Sequence, residues 1–201
     1  MPRWILLVVA MVVALPCGAG VSGAGERPVY GVRVDGRRVT ALGGPGTKAV
    51  ALFFVASDCP ISNRTFPEMK RVREEFAGRG VRFWFVYPNE GEKAAEVKAH
   101  QEAYDSGGEA VLDVSGGMVR MAGAKVTPEV SVLVPDGDGW RVVYTGRVDD
   151  RYVRIGLERP QATEHFAERA LTSVLAGTPV EAATGEPVGC GIVSAGASKA
   201  R

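Results

Sequence analysis

This chain is short of the residues that most enzymes lean on. It holds only 2 histidines and 3 cysteines in 201 residues, and aromatic side chains make up 7%. Two histidines leave little room for a His-based metal site or an acid–base pair, and both His100 and His165 fall inside helical patterns that assign them no role. Charge of one sign is also lacking. Basic and acidic residues number 24 and 23 and are interspersed, so no face is built to hold a nucleic acid or an anionic membrane. A phosphate cradle is missing too. The glycine-rich stretch Gly43-Gly44-Pro45-Gly46 has no Lys-Ser/Thr at the required spacing, and a strand pattern follows it rather than a helix. No internal repeat is visible. One apolar run stands near the start, Trp4 to Leu15, and it is too short to span a bilayer comfortably.

What is present begins with that run. Arg3 precedes it and small residues follow, with Ser22-Gly23-Ala24 a cleavage site and Cys17-Gly18-Ala19 a second. Met1 to Ala24 therefore read as a secretory signal, which makes the protein an exported one, periplasmic or extracellular. Pro16 just before Cys17 makes a poor lipobox, so no lipid anchor is expected. Removing the signal takes one of the 24 basic residues and none of the 23 acidic ones, leaving formal neutrality. It also leaves two cysteines, Cys59 and Cys190, in a compartment that permits a disulfide.

Val50 to Pro67 is the stretch that carries chemistry. Ala49 to Val55 is a buried-type strand rich in Val and Phe. Ala56-Ser57-Asp58 turns the chain and delivers Cys59-Pro60 to the start of a helical pattern. Proline suits the first helical position, where its missing N–H costs nothing. Pro67, inside the periodic segment, is expected to kink that helix. A cysteine at a helix N-terminus meets free amides and the positive end of the dipole, which favours thiolate over thiol. The same residue also fits a buried, inert cysteine in a β–α turn.

The strand–Cys-Pro-x-x–helix–Pro arrangement resembles the thioredoxin superfamily. The string Cys59-Pro60-Ile61-Ser62-Asn63 resembles its redoxin branch, grouped with the peroxiredoxins (alkyl hydroperoxide reductase and thiol-specific antioxidant proteins). Ser62 stands where a dithiol thioredoxin has its second cysteine, so the motif is CxxS. Leu52 and Ala56 stand where peroxiredoxins carry Pro and Thr. The superfamily places a cis-proline loop against the active cysteine, and Thr127-Pro128, just before the strand Val130 to Val134, is the matching dipeptide. By that resemblance the loop presents a backbone edge to a bound polypeptide; the plainer reading is a trans proline opening a strand. Arg147 lends positive charge to the thiolate, as an arginine does in peroxiredoxins, or, as is expected here, pairs with Asp149 or Asp150 on the surface. Ser62 either bonds the Cys59 sulfur or satisfies an open amide.

The remaining pattern is a hairpin from Tyr30 to Leu42 about Asp35-Gly36 and a helix ending near Phe76. A strand at Val81 to Tyr87, a helix from about Glu90 to Tyr104, a strand at Ala110 to Val114 and a short helix through Met121 follow. A hairpin about Asp136-Gly137-Asp138-Gly139 and a closing helix from Gln161 to Ala176 complete it. Early βαβ units call for parallel strands and the late hairpin adds antiparallel ones, giving a mixed sheet between helices. The expected fold is a thioredoxin-like α/β domain over 25–177, with 178–201 a small-residue tail that carries Cys190.

Cys190, between Gly189 and Gly191, resolves an oxidised Cys59, staples the tail permanently, or never meets it. A staple closing so long a loop is worth about 4–5 kcal/mol on the chain-entropy model. The leading function is an exported thiol oxidoreductase acting on protein thiols or disulfides, or on a small hydroperoxide, with an external thiol reductant and no cofactor. The alternatives are a thioredoxin-fold binding module with a static disulfide, and copper handling, which lacks the paired-cysteine spacing a soft-metal site needs.

Overall fold

The computed structural model describes Met1 and residues 28–194. The signal segment, Cys17 and the last residues of the tail lie outside them.

A seven-stranded sheet forms the centre, in the order β2-β1-β5-β4-β3-β7-β8. Its strands are β1 (Gly31–Arg33), β2 (Arg38–Val39), β3 (Ala49–Phe54), β4 (Val81–Tyr87), β5 (Glu109–Leu112), β7 (Glu129–Asp136) and β8 (Gly139–Gly146). β3, β4 and β5 run parallel, β7 lies antiparallel to β3, and the β7–β8 and β1–β2 pairs are hairpins. Helices α1 (Pro60–Phe76), α2 (Ala94–Ala103), α3 (Gly117–Ala122) and α4 (Phe166–Ala176) connect or cover them.

The strand β3 shows why its sequence is apolar at every position. Ala49, Ala51 and Phe53 face one core, packed with Phe66, Met69, Val72 and Phe76 of α1 and with Phe166 and Leu171 of α4. Val50, Leu52 and Phe54 face the other, packed with Met118 and Val119 of α3 and with Trp84. All six β3 residues are fully buried, as a central strand covered on both faces must be. This mixed sheet between helices is the thioredoxin-like architecture expected from the sequence.

Four departures matter for the site. The second helix opens at Ala94 rather than near Glu90, with Lys93 extended at its N-cap and Glu92 bonded to the Ser57 amide beside Cys59. The last helix opens at Phe166 rather than Gln161. Asp150 draws the preceding residues away by accepting the amides of Thr163 and Glu164 at 2.7 and 2.9 Å. A small hairpin, β9 (Tyr152–Arg154) and β10 (Leu157–Glu158), folds in a stretch to which the sequence assigns no element, turning at Gly156 with φ +78°. The tail forms a strand, β11 (Cys190–Gly191), antiparallel to β6 (Val126–Thr127). Pro67 lies within α1, and the helix is continuous through it.

Candidate active site

Cys59 sits where the sequence places it, at the N-cap of α1 with an extended backbone (φ −86°, ψ 111°) and Pro60 following as the first helical residue. The Ser62 amide donates toward the Cys59 sulfur at 3.5 Å, and the Asn63 amide donates to the Cys59 carbonyl at 2.9 Å. The Ser62 side chain does something else. Its Oγ accepts the Ala56 amide at 3.4 Å, closing the end of β3. The hydroxyl thus accepts an amide that precedes the helix, not one of the helix's own first-turn amides, and the main chain of Ser62, not its hydroxyl, faces the sulfur.

The Thr127–Pro128 peptide bond is cis. The Thr127 carbonyl oxygen lies 3.2 Å from the Cys59 sulfur. Glu129 anchors this loop, accepting the amides of Lys125 and Val126 at 2.7 and 3.2 Å. Burial pushes the Glu129 carboxyl above its ordinary range, and those two amides hold part of the rise back. Thr127 itself is wholly buried.

Cys190 meets Cys59 across 131 residues of sequence. The two form a disulfide with Cα atoms 6.1 Å apart. β11 pairs Cys190 with Thr127 and Gly191 with Val126, and the Ile192 amide donates to the Lys125 carbonyl at 3.0 Å. Around the sulfurs pack Ala56, Ile61, Tyr152 and Val188. None of these is a soft metal ligand. Cys59 is 1% exposed, whereas Cys190 is partly exposed.

Arg147 departs from the surface ion pair expected of it. Asp149 and Asp150 are both buried. Its guanidinium donates instead to the Asp149 and Tyr152 carbonyls, with the Phe166 ring 6.0 Å away. Asp149 spends its side chain on the Arg151 amide and Asp150 spends its own on the 163–164 turn, so neither is left for Arg147. With Thr65, Pro128, Tyr152 and Val188, Arg147 lines a cavity of about 10 Å³ beside the cis-proline, space for a single water.

Side chains to which the sequence assigns no role, His100 among them, form a partly buried polar chain behind the cysteine turn. The Asn63 amide nitrogen donates to the Ser57 carbonyl at 3.2 Å, and its Oδ1 meets His100 Nε2 at 2.7 Å. His100 Nδ1 meets the Tyr87 hydroxyl at 2.7 Å, which accepts from Gln101. One set of protons satisfies every member: Nε2 of a neutral His100 donates to Asn63, Tyr87 donates to Nδ1, and Gln101 donates to Tyr87. Burial lowers the His100 pKa, which keeps it neutral. Glu92 meets the same turn, its Oε1 accepting the Ser57 amide at 3.1 Å while Oε2 is buried without a partner among the described residues. Burial pushes Glu92 up to about 7; the Ser57 amide works against the rise and the charge of Asp58 adds to it. No periodicity flags such a residue, because Glu92 acts from a turn.

Glu68, His165 and Glu168 bring their ligand atoms within 4.8 Å of one another. Arg71 already fills that cluster, pairing with Glu68 at 2.7 Å and Glu168 at 2.5 Å.

No family model and no curated protein matches this chain. Solved structures do. An uncharacterized conserved protein from Geobacillus kaustophilus aligns with a TM-score of 0.70 at 21% identity, over 86% of this chain and 92% of its own. A hypothetical protein from Sinorhizobium meliloti aligns at 0.69 and 22%, over 85% and 97%. A thioredoxin-like protein from Aeropyrum pernix aligns at 0.50 and 17%, over 75% and 89%. At these identities the likeness shows the fold, which is thioredoxin-like.

Proposed function

We propose that this chain is an exported thiol–disulfide oxidoreductase whose redox pair is Cys59 and Cys190. The observation that carries the reading is the position of the bond. Two cysteines far apart in sequence are joined at a helix N-terminus, against a cis-proline loop, where an amide points at one of the sulfurs. That setting stabilises a leaving thiolate without a histidine base.

In the oxidised form Cys59 is closed to solvent, so an incoming thiolate meets Cys190. It attacks the Cys190 sulfur and forms a mixed disulfide there, while the Cys59–Cys190 bond breaks and Cys59 leaves with the electron pair. A second thiolate on the partner attacks the partner's own sulfur of that mixed disulfide and frees Cys190. The partner departs oxidised by two electrons, and its two thiol protons end on Cys59 and Cys190. Reduction of a partner's disulfide takes a separate route. The reduced Cys59 thiolate attacks one partner sulfur, and the partner's other sulfur leaves as a thiolate. Cys190 then attacks the Cys59 sulfur of the mixed product, freeing the partner as a dithiol and restoring the Cys59–Cys190 bond.

The substrates are protein thiols and disulfides, with an external thiol closing the cycle. The signal-like segment supports export. The redoxin branch remains part of the reading through the Cys59–Asn63 string, but a peroxide as substrate is less well supported: Ala56 offers no hydroxyl, and a sulfur this buried is poorly placed to meet a small oxidant.

Equilibration against a dithiothreitol series tests the proposal. A midpoint above about −300 mV is expected for an exchanging pair; one well below it marks a static bond and leaves a thioredoxin-fold binding module.

A further inference from the structure

The backbone edge beside the cis-proline is already occupied, and the occupant is the protein itself. β11 pairs with Val126 and Thr127, and the Ile192 amide continues the ladder to Lys125. Val193 leaves this edge for the 89–90 turn, its carbonyl accepting the Glu90 amide at 2.8 Å and its amide donating to the Asn89 side-chain oxygen at 3.0 Å. The occupant is extended, antiparallel, and bonded through its cysteine to Cys59.

The two glycines that flank Cys190 are not equivalent. A Cβ built on Gly189 would fall 2.7 Å from the Thr127 carbonyl carbon, closer still to its oxygen, and 3.1 Å from the Pro128 nitrogen. All of these atoms belong to the single Thr127–Pro128 peptide unit, which is backbone and does not yield as a side chain would. A Cβ on Gly191 would meet nothing within 4 Å. Neither glycine adopts a positive φ, so the contrast is one of space, not of backbone conformation.

We propose that residues 188–192 are an internal ligand of the 125–127 edge, and that any occupant of this register must carry glycine immediately before its reactive cysteine. The proposal deepens the exchange reading and rests on it. While the bond is intact the edge is closed to other chains. Reduction removes the covalent tie, and an extended polypeptide with a Gly-Cys sequence then competes for the edge on equal steric terms. A polypeptide with any larger residue before its cysteine does not fit the register. A small thiol needs only to reach Cys190, a partly exposed residue, and is indifferent to both glycines.

Paired substitutions in the full chain supply the test. Gly189→Ala and Gly191→Ala each lose the same chain freedom in the unfolded state, so their difference isolates the contact with Thr127. Equilibrated with dithiothreitol, Gly189→Ala is expected to shift toward the dithiol by about tenfold or more, the scale of overpacking. Gly191→Ala is expected to stay within about twofold of the parent, the span of an ordinary surface change. Equal responses from the two variants overturn the proposal. A second arm does not depend on those variants folding. The Cys190→Ser chain is mixed with the peptides Val-Gly-Cys-Gly-Ile-Val and Val-Ala-Cys-Gly-Ile-Val, each cysteine activated as a mixed disulfide with 5-thio-2-nitrobenzoate. Attack by the Cys59 thiolate transfers the peptide and releases the coloured thiolate. The glycine peptide is expected to react about tenfold faster, for the same steric reason. Equal rates overturn the register. If Cys59 reacts with Ellman's reagent but with neither peptide, the internal-ligand proposal fails and exchange stands. If it reacts with none of the three, both fall.

Discussion

Glu92 is a carboxyl whose charge the fold resists. Its folded pKa is raised to about 7 by burial, above an unfolded value near 4.3. Its contribution to stability is therefore fully present below about 4.3 and is lost as the pH rises through about 7. Glu92→Gln keeps the Ser57 amide bond and removes the titration. Denaturant unfolding at pH 4.5, 6 and 8 is expected to show the parent losing stability relative to the variant as pH rises; parallel profiles would rule the assignment out. Asn63 is the other residue on which the turn depends. It ties Ser57 to His100, so Asn63→Ala leaves the buried His100 nitrogen and the half-buried Ser57 carbonyl open and is expected to cost about 1–3 kcal/mol. The same measurement at pH 7 checks it.

At the scale of elements, Asp150 shows the opposite sign. Burial alone would raise its carboxyl, but the Glu164 and Thr163 amides, the Thr163 hydroxyl and Arg159 outweigh burial and hold it at about 2. That stability is present above an unfolded value near 3.9 and is lost as the pH falls through about 2. Asp150→Ala is expected to loosen the approach to α4 and to destabilise by about 1–3 kcal/mol at pH 7. The penalty is expected to fade by pH 2, and unfolding curves against pH follow it; a penalty that stays constant would show that the carboxylate is not the cause. These elements also show what the sequence made legible. β3, β4 and α1 announce themselves by uninterrupted or periodic apolar residues, and Cys59-Pro60 marks its own position at a strand–helix junction. The hairpin at 152–158 does not, because its strands of three and two residues are too short to carry a period. The late start of α4 does not, because Asp150 sets it through contacts 13 and 14 residues away. The Glu92 and His100 contacts are invisible for the same reason. A polar residue that serves a distant turn has no period. Cys190 was legible as a possible partner, but the strand that brings it to Thr127 spans two residues between loops and carries no pattern of its own.

For the whole molecule, the weight of the core lies before the tail. The buried members of the two large apolar clusters end at Leu171 and Leu133. The Cys59–Cys190 bond therefore adds to a fold that is already held, and it adds no more than the loop-closure figure of about 4–5 kcal/mol. Cys190→Ser is expected to remain folded, with a thermal midpoint lower by no more than roughly 10–20 °C, from about 2–4 °C per kcal/mol at this size. Calorimetry of parent and variant reads the difference, and an unfolded variant would show that the tail builds the fold instead of closing it. Because every buried member of those two clusters precedes the tail, the domain can close around Cys59 while Cys190 is still unplaced. The bond is then a late clasp on a scaffold already assembled, not the guide that assembled it.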